Sequence, residues 1–275
     1  MKRKIQYIGF FIIVASAVFS QRGWEAGAWS GVSYYLGDLN TNYDLSKPGF
    51  GAGLVGRYNF NPRVAFRFGF NYSRISGDDQ YSNNIFERAR NLSFRSDIYD
   101  MGGRLEFNFM TFRHGSKEEF FTPYFFTGLG LFRFNPEAFY NDEWVELQPL
   151  GTEGQDIDAE YRLTSGNFQY GGGVKISLNY VWSINIEFAG HSVFTDYLDD
   201  VSGTYPDKTY LRRVRGQRAV NLSDRSVDIP GFSDLNIGEA GRQRGDETNK
   251  DSYYHIGIGI MYYFGQLKCP DISRR

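Results

Sequence analysis

Residues 64–73 read VAFRFGFNYS, and no other stretch limits the fold so tightly. Val64, Phe66, Phe68, Phe70 and Tyr72 share one parity, while Arg67, Gly69, Asn71 and Ser73 share the other. A helix would scatter these residues around its circumference, whereas a β-strand sends successive side chains to opposite faces. This strand therefore divides an apolar environment from a polar one.

The same period recurs along the chain. It is seen in WEAGAWSGVSYYL (24–36), FGAGLVGRYNF (50–60), YDMGGRLEFNF (99–109), NFQYGGGVKISLN (167–179), WSINIEFAG (182–190) and YYHIGIGIMYYF (253–264). An eighth segment, YFFTGLGLFRF (124–134), is apolar on both parities, so its facing stays open at this stage. Each is about long enough to cross a bilayer at a tilt. Beyond residue 20 there is no apolar run long enough for a transmembrane helix. The 25 phenylalanines, 20 tyrosines and 32 glycines suit a sheet with one face in lipid and the other on a crowded lumen.

The connections alternate in length. Those after the second and sixth segments are tight, at Asn61–Pro62 and Asn179–Tyr180, and the one over 111–122 is of medium length and charged. The others are long, notably 135–166 and 192–252. The pattern predicts an all-β fold: an eight-stranded antiparallel transmembrane β-barrel of OmpA-like size. Its long loops would be extracellular, its short turns and both termini periplasmic, and its place the outer membrane. A soluble lipocalin-type barrel shares the alternation but buries the apolar parity, and parity alone gives no direction. Trp24, Tyr58, Tyr72, Trp182 and Phe264, near strand ends, match interfacial girdles and favour the membrane reading.

Residues 1–20 carry a basic start (Lys2, Arg3, Lys4), an apolar stretch and small residues up to Ser20, and read as a cleaved signal peptide. The barrel is then expected over 21–265 and a periplasmic tail over 266–275. A net charge of −2 gives no reason to expect a nucleic-acid partner, and a single cysteine, Cys269, excludes an intrachain disulfide.

Arg57, Arg67, Arg104, Glu106, Lys175 and Glu187 fall on the polar parity. Eight strands leave a lumen that side chains can fill, and charges of both signs confined there should pair. The expectation is a lumen charge network that plugs the barrel rather than a conducting pore. Adjacent His191 and Ser192 invite an acyl-hydrolase reading, but neighbours on a strand point to opposite faces, so no catalytic residue is assigned. The acidic run TDYLDDVSGTY, with Asp196, Asp199 and Asp200, raises the question of Ca²⁺, but its spacing does not match an EF-hand loop. Pairing with Arg212, Arg213, Arg215 and Arg218 is the preferred account. No metal, cofactor or small-molecule substrate is expected.

GVSYYLGDLN (31–40), TPYFFTGLGLFRFNP (122–136) and DYLDDVSGTY (196–205) resemble the PorG family, small outer-membrane barrels of the type IX secretion system in Bacteroidetes. The resemblance spans Trp24–Phe264. It implies a non-enzymatic component of protein secretion, and of gliding motility in some species. Such a barrel ties a periplasmic ring of the PorK/PorN (GldK/GldN) type to the outer membrane. Topology would then place the partner surface at Asn61, Arg63, Arg113, Lys117, Glu118 and Glu119, with Asp196, Asp199 and Asp200 marking an extracellular loop. The alternative is a narrow OmpA- or OmpW-like barrel acting as a small-solute channel or surface-binding protein.

Overall fold

The computed structural model describes residues 22–227 and 237–265; the expected signal peptide and tail lie outside the described residues. In chain order the strands are β1 (Gly23–Leu36), β2 (Gly49–Asn59), β3 (Val64–Asp78), β4 (Ser93–Asn108) and β5 (Phe121–Arg133). They continue with β6 (Pro136–Tyr140), β7 (Glu143–Glu146), β8 (Thr164–Ser177), β9 (Trp182–Val193) and β10 (Ser252–Tyr263). Each of the eight period-two segments coincides with a long strand. Neighbours run β3-β2-β1-β10-β9-β8-β5-β4, all antiparallel, and β3 pairs with β4 from Val64↔Phe107 to Asp78↔Ser93. The sheet thus closes on itself and leaves no barrel strand with a free edge.

Direction follows from exposure. Leu54 (66%), Leu129 (64%) and Ile258 (58%) face outward, whereas Glu106 is wholly enclosed. An apolar belt outside and charges inside is the transmembrane arrangement, so the lipocalin alternative falls. The fifth segment is settled in the same way. Phe125, Leu129 and Leu131 point to lipid; Tyr124, Phe126 and Phe132 point inward. The inward rings find use because Lys175 lies over Tyr124 and Arg104 over Phe126, at 4.5 and 4.7 Å.

Aromatic girdles bound the belt. At the short-turn end Trp24 packs on Tyr58 and Trp182 on Tyr262, each pair 5.0 Å apart. At the long-loop end Tyr72 meets Tyr99 at 5.4 Å. Both tight turns use one device, an asparagine oxygen that caps two following amides. Asn61 Oδ1 accepts from Arg63 and Val64 N, and Asn179 Oδ1 from Val181 and Trp182 N.

At the other end the strands outrun the belt. β6 and β7 form a hairpin joined to the tip of β4 through Arg95↔Glu137, elements that period-two reading of the long loop did not anticipate. Three short helices, α1 (Ile85–Arg90), α2 (Lys208–Arg215) and α3 (Gln217–Ser223), complete a cap. Asn84 and Asp207 supply the N-cap oxygens of α1 and α2. Beneath them lies an apolar core that includes Ile75, Phe94, Ile98, Phe132, Val193, Leu198 and Leu222. The inward parity of β3, β4, β5 and β9 therefore turns apolar above the membrane.

Candidate functional site

Two buried regions concentrate the molecule's chemistry, the lumen and the cap. In the lumen, His114 folds in from the turn between β4 and β5, stacks on Tyr263 (4.8 Å) and reaches Glu25 (3.2 Å). Glu25 pairs with Arg57 (2.7 Å), and Arg57 with Glu106 (2.8 Å). Glu106 also holds Lys175 (2.6 Å) and lies 3.7 Å from Arg67. Arg67 continues to Glu187, which accepts from Arg104 (2.9 Å). Arg104 donates to Gln169 (2.6 Å), and Gln169 to Asp100 (3.1 Å). Asp100 then meets Asn71 (2.9 Å) and Asn167 (2.6 Å).

All six lumen residues named from the sequence thus lie in one chain of contacts. Arg57, Arg67, Arg104 and Lys175 are matched in number by Glu25, Glu106, Glu187 and Asp100, so the network is neutral as a whole. Glu25 and Asp100 are not among those six, although both sit on the inward parity that picks the six out. Trp29 fills the lumen further; its ring lies where side chains on Gly53 and Gly257 would clash, and its Nε1 donates to Asn71 (2.8 Å). The void beside Trp29, Arg67 and Glu187 is about 20 Å³, room for about one water.

His191 turns inward and stacks on Tyr253 at 4.3 Å, while Ser192 lies on the other parity. His255 does meet a hydroxyl, Ser73 Oγ, at 2.6 Å. That pair lies within the packed lumen, where the void has no room for an acyl substrate. Its visible work is to satisfy two buried polar groups.

The acidic run departs from expectation. Asp196, Asp199 and Asp200 are buried in the cap, and none pairs with Arg212, Arg213, Arg215 or Arg218. Arg215 instead donates to Glu160 and to loop carbonyls, and Arg218 pairs with Glu143 (2.8 Å). Asp200 accepts from Tyr161 (2.7 Å) and lies 3.3 Å from the buried Arg244, which α3 and the 237–251 segment bring in from far along the chain. Asp196 accepts from Ser202 (2.6 Å).

Asp199 and the unforeseen Asp251 share Tyr35: its hydroxyl lies 2.6 Å from Asp199 Oδ2 and 2.9 Å from Asp251 Oδ1. Their other oxygens accept backbone amides of Val201 and Leu198. One phenolic proton serves one acceptor, so both short contacts require a second proton on a carboxyl. Burial, then repulsion from Asp251 and Asp38, raises the Asp199 carboxyl well above the usual range. Burial does the same for Asp251, and pushes Asp38 and Asp200 up to about 6. A bidentate Arg90–Asp79 pair (both contacts 2.8 Å) ties α1 to the tip of β3. Among the described residues no group of histidine, cysteine and carboxylate side chains is arranged to hold a metal ion.

The partner residues suggested by topology lie together at the short-turn end but differ in availability. Arg63, Lys117 and Glu118 are exposed, Asn61 is spent on its turn, and Arg113 pairs with Glu119 at 2.9 Å.

Comparison with known proteins finds several solved structures to which this chain is similar. Neisserial surface protein A is 12% identical, with 88% of this chain and 97% of that one covered and a TM-score of 0.43. OprG from Pseudomonas aeruginosa is 10% identical, with 91% and 100% covered and a TM-score of 0.42. Ail, the attachment invasion locus protein of Yersinia pestis, is 13% identical, with 88% and 99% covered and a TM-score of 0.39. At such identities the likeness concerns fold alone. No curated protein matches the chain. A family model does, over residues 2–228, and the chain belongs to that family, described as a domain of unknown function, DUF6089.

Proposed function

We propose that this is a non-conducting, non-enzymatic outer-membrane barrel that acts as a surface-binding protein, presenting its ordered cap to the exterior. The observation that carries this reading is the unbroken packing from His114 through Asp100 into the apolar core of the cap. Nothing of solute size passes such a column without dismantling ion pairs that are expensive to break. Reconstituted in planar bilayers, the protein should give no steady conductance; discrete, reproducible openings of the wild type would overturn the reading. Orientation has its own test. With Cys269→Ser as background, Ala159→Cys in the cap should react with an impermeant maleimide in intact cells, and Lys117→Cys should not. The reverse pattern would place the cap inside.

A second reading, an anchor for the ring of the type IX secretion system, draws on the resemblance of residues 31–40, 122–136 and 196–205. It is favoured by the connection over 109–120, a built surface rather than a minimal turn. Its Arg113–Glu119 pair and the lumen-plugging His114 order the connection that carries Lys117 and Glu118, at the same end of the barrel as Arg63. Photocrosslinking from Lys117 in cells should then capture a periplasmic ring subunit, and deletion should stop export of cargo bearing C-terminal sorting signals. Intact export after deletion would remove this reading and leave the first standing.

A further inference from the structure

On the outward face, immediately above the apolar belt, β5 ends in Arg133, with Leu131 and Leu129 below it on the same parity. Its register neighbours are Tyr99 of the aromatic girdle on one side and Thr164 on the other. The Phe134 N to Leu163 O bond carries the pairing past Thr164. Tyr161 stacks on the inward Phe134 and Leu163 packs against the core, which leaves the exposed Arg162 between them on the outer side, two residues before Arg133's partner Thr164. Both arginines are exposed, and neither side chain has a hydrogen-bond or ion-pair partner among the described residues.

Two of the three acids nearby are held by other arginines, and the third, Glu146, accepts from Asn135 at 3.1 Å. Asp97 is held by Arg74 through two bonds of 2.6 and 2.9 Å, and Glu137 by Arg95 at 2.8 Å. Arg95 itself lies 3.6 Å under Trp144, whose ring and that of Phe139 stand exposed on the β6–β7 hairpin. The stripe thus runs from aliphatic through unpaired guanidinium to exposed aromatic. An amphiphile at the membrane surface runs in the same order, from acyl chain through phosphate to sugar.

We propose that Arg133 and Arg162 form a phosphate clamp for a phosphorylated glycolipid of the leaflet around the cap. The acyl chains lie along Leu129 and Leu131, and Phe139 and Trp144 stand beside the headgroup sugars. Guanidinium groups suit this role, since their planar forks bind phosphate oxygens bidentately. The site rests on the cap-outward reading only for which leaflet it meets, because a symmetric bilayer offers the same lipid to both rims.

The test uses the full chain refolded into phosphatidylcholine nanodiscs doped with bisphosphorylated or phosphate-free lipid A, with retained lipid counted by native mass spectrometry. Wild type should retain the phosphorylated lipid over the phosphate-free one by roughly tenfold. Arg133→Gln/Arg162→Gln should lose that preference while keeping the heat-modifiable mobility of a folded barrel. Arg63→Gln, at the opposite rim, should keep the preference. Equal retention of both lipids by the wild type, an unchanged preference in the double variant, or equal loss with Arg63→Gln would each overturn the clamp. Release of the lipid by millimolar inorganic phosphate would also overturn it, showing a generic anion site rather than one built for a lipid.

Discussion

The lumen and the cap both bury carboxylates, and they neutralise them by different means. In the lumen the glutamates face cations across the barrel: Glu106 alone contacts Arg57, Lys175 and Arg67. In the cap Asp199 and Asp251 face each other across Tyr35, with protons doing the work that guanidinium groups do below. The difference follows from geometry. Strand parity sends alternate residues into one narrow space, where opposite charges meet and persist. The cap is assembled from loops over an apolar core, and there Asp199 and Asp251 are positioned by backbone amides rather than by ion pairs.

If ion pairing sustains the lumen, the largest effect should come from removing its most connected acid. Glu106→Ala leaves buried Lys175 without its carboxylate and Arg57 and Arg67 with one each, and should lower barrel stability by about 3–5 kcal/mol, read as an earlier midpoint in urea unfolding in micelles. Adding Lys175→Met should recover part of the loss. A Glu106→Ala barrel as stable as wild type would show that the network contributes packing alone. If the cap is instead an ordinary apolar core, Leu198→Ala, at a site with no exposure, should cost about 2–5 kcal/mol. That loss should be confined to the cap: proteolysis within 192–252 accelerates while the barrel keeps its heat-modifiable band. Simultaneous loss of both would mean the two regions unfold as one. The outer face provides the third contrast. Phe68→Arg at mid-belt should cost about 2–4 kcal/mol, whereas at Asn71, inside, an arginine is governed by crowding against Trp29 and Asp100.

These regions were unequally legible in the sequence. Strands alternate, so residues 64–73 alone declared a two-faced sheet, and parity placed Arg57, Arg67, Arg104, Glu106, Lys175 and Glu187 in one lumen. Glu25 was legible by the same rule but is surrounded by small residues that blur the alternation of β1. The facing of β5 was not legible, because aromatic rings suit both lipid and the underside of a cation. The cap was hidden for a deeper reason. Asp199 finds Tyr35 and Asp251, and Asp200 finds Arg244, across separations that no local period encodes. Nearby arginines at 212–218 made the tempting local pairing, but helix α2 directs Arg215 to Glu160 and Arg212 and Arg213 to solvent, and α3 directs Arg218 to Glu143.

The proton-held cap makes the smallest and most discriminating prediction. A carboxyl raised on folding binds protons more tightly in the closed cap than in the open one. Closure is then fully favoured below about pH 4, the ordinary aspartate range, and weakens as pH climbs through the folded values. For Asp38 and Asp200 those values are about 6, so protection of the 196–205 amides should decline between pH 4 and 7. Each proton involved contributes at most about 1.4 kcal/mol per pH unit. Hydrogen exchange corrected for its intrinsic pH dependence measures this, with the lumen strands as internal reference. The lumen should stay level over the same range, because Glu25, Glu106 and Glu187 each contact an arginine. Asp199→Asn removes one charge and supplies a fixed donor toward Tyr35, so it should reduce the cap's pH response to the part that Asp38 and Asp200 carry, while leaving protection at pH 4 nearly unchanged. A cap equally protected at pH 4 and 7 in the wild type would mean that Asp199 and Asp251 are neutralised by something other than a shared proton.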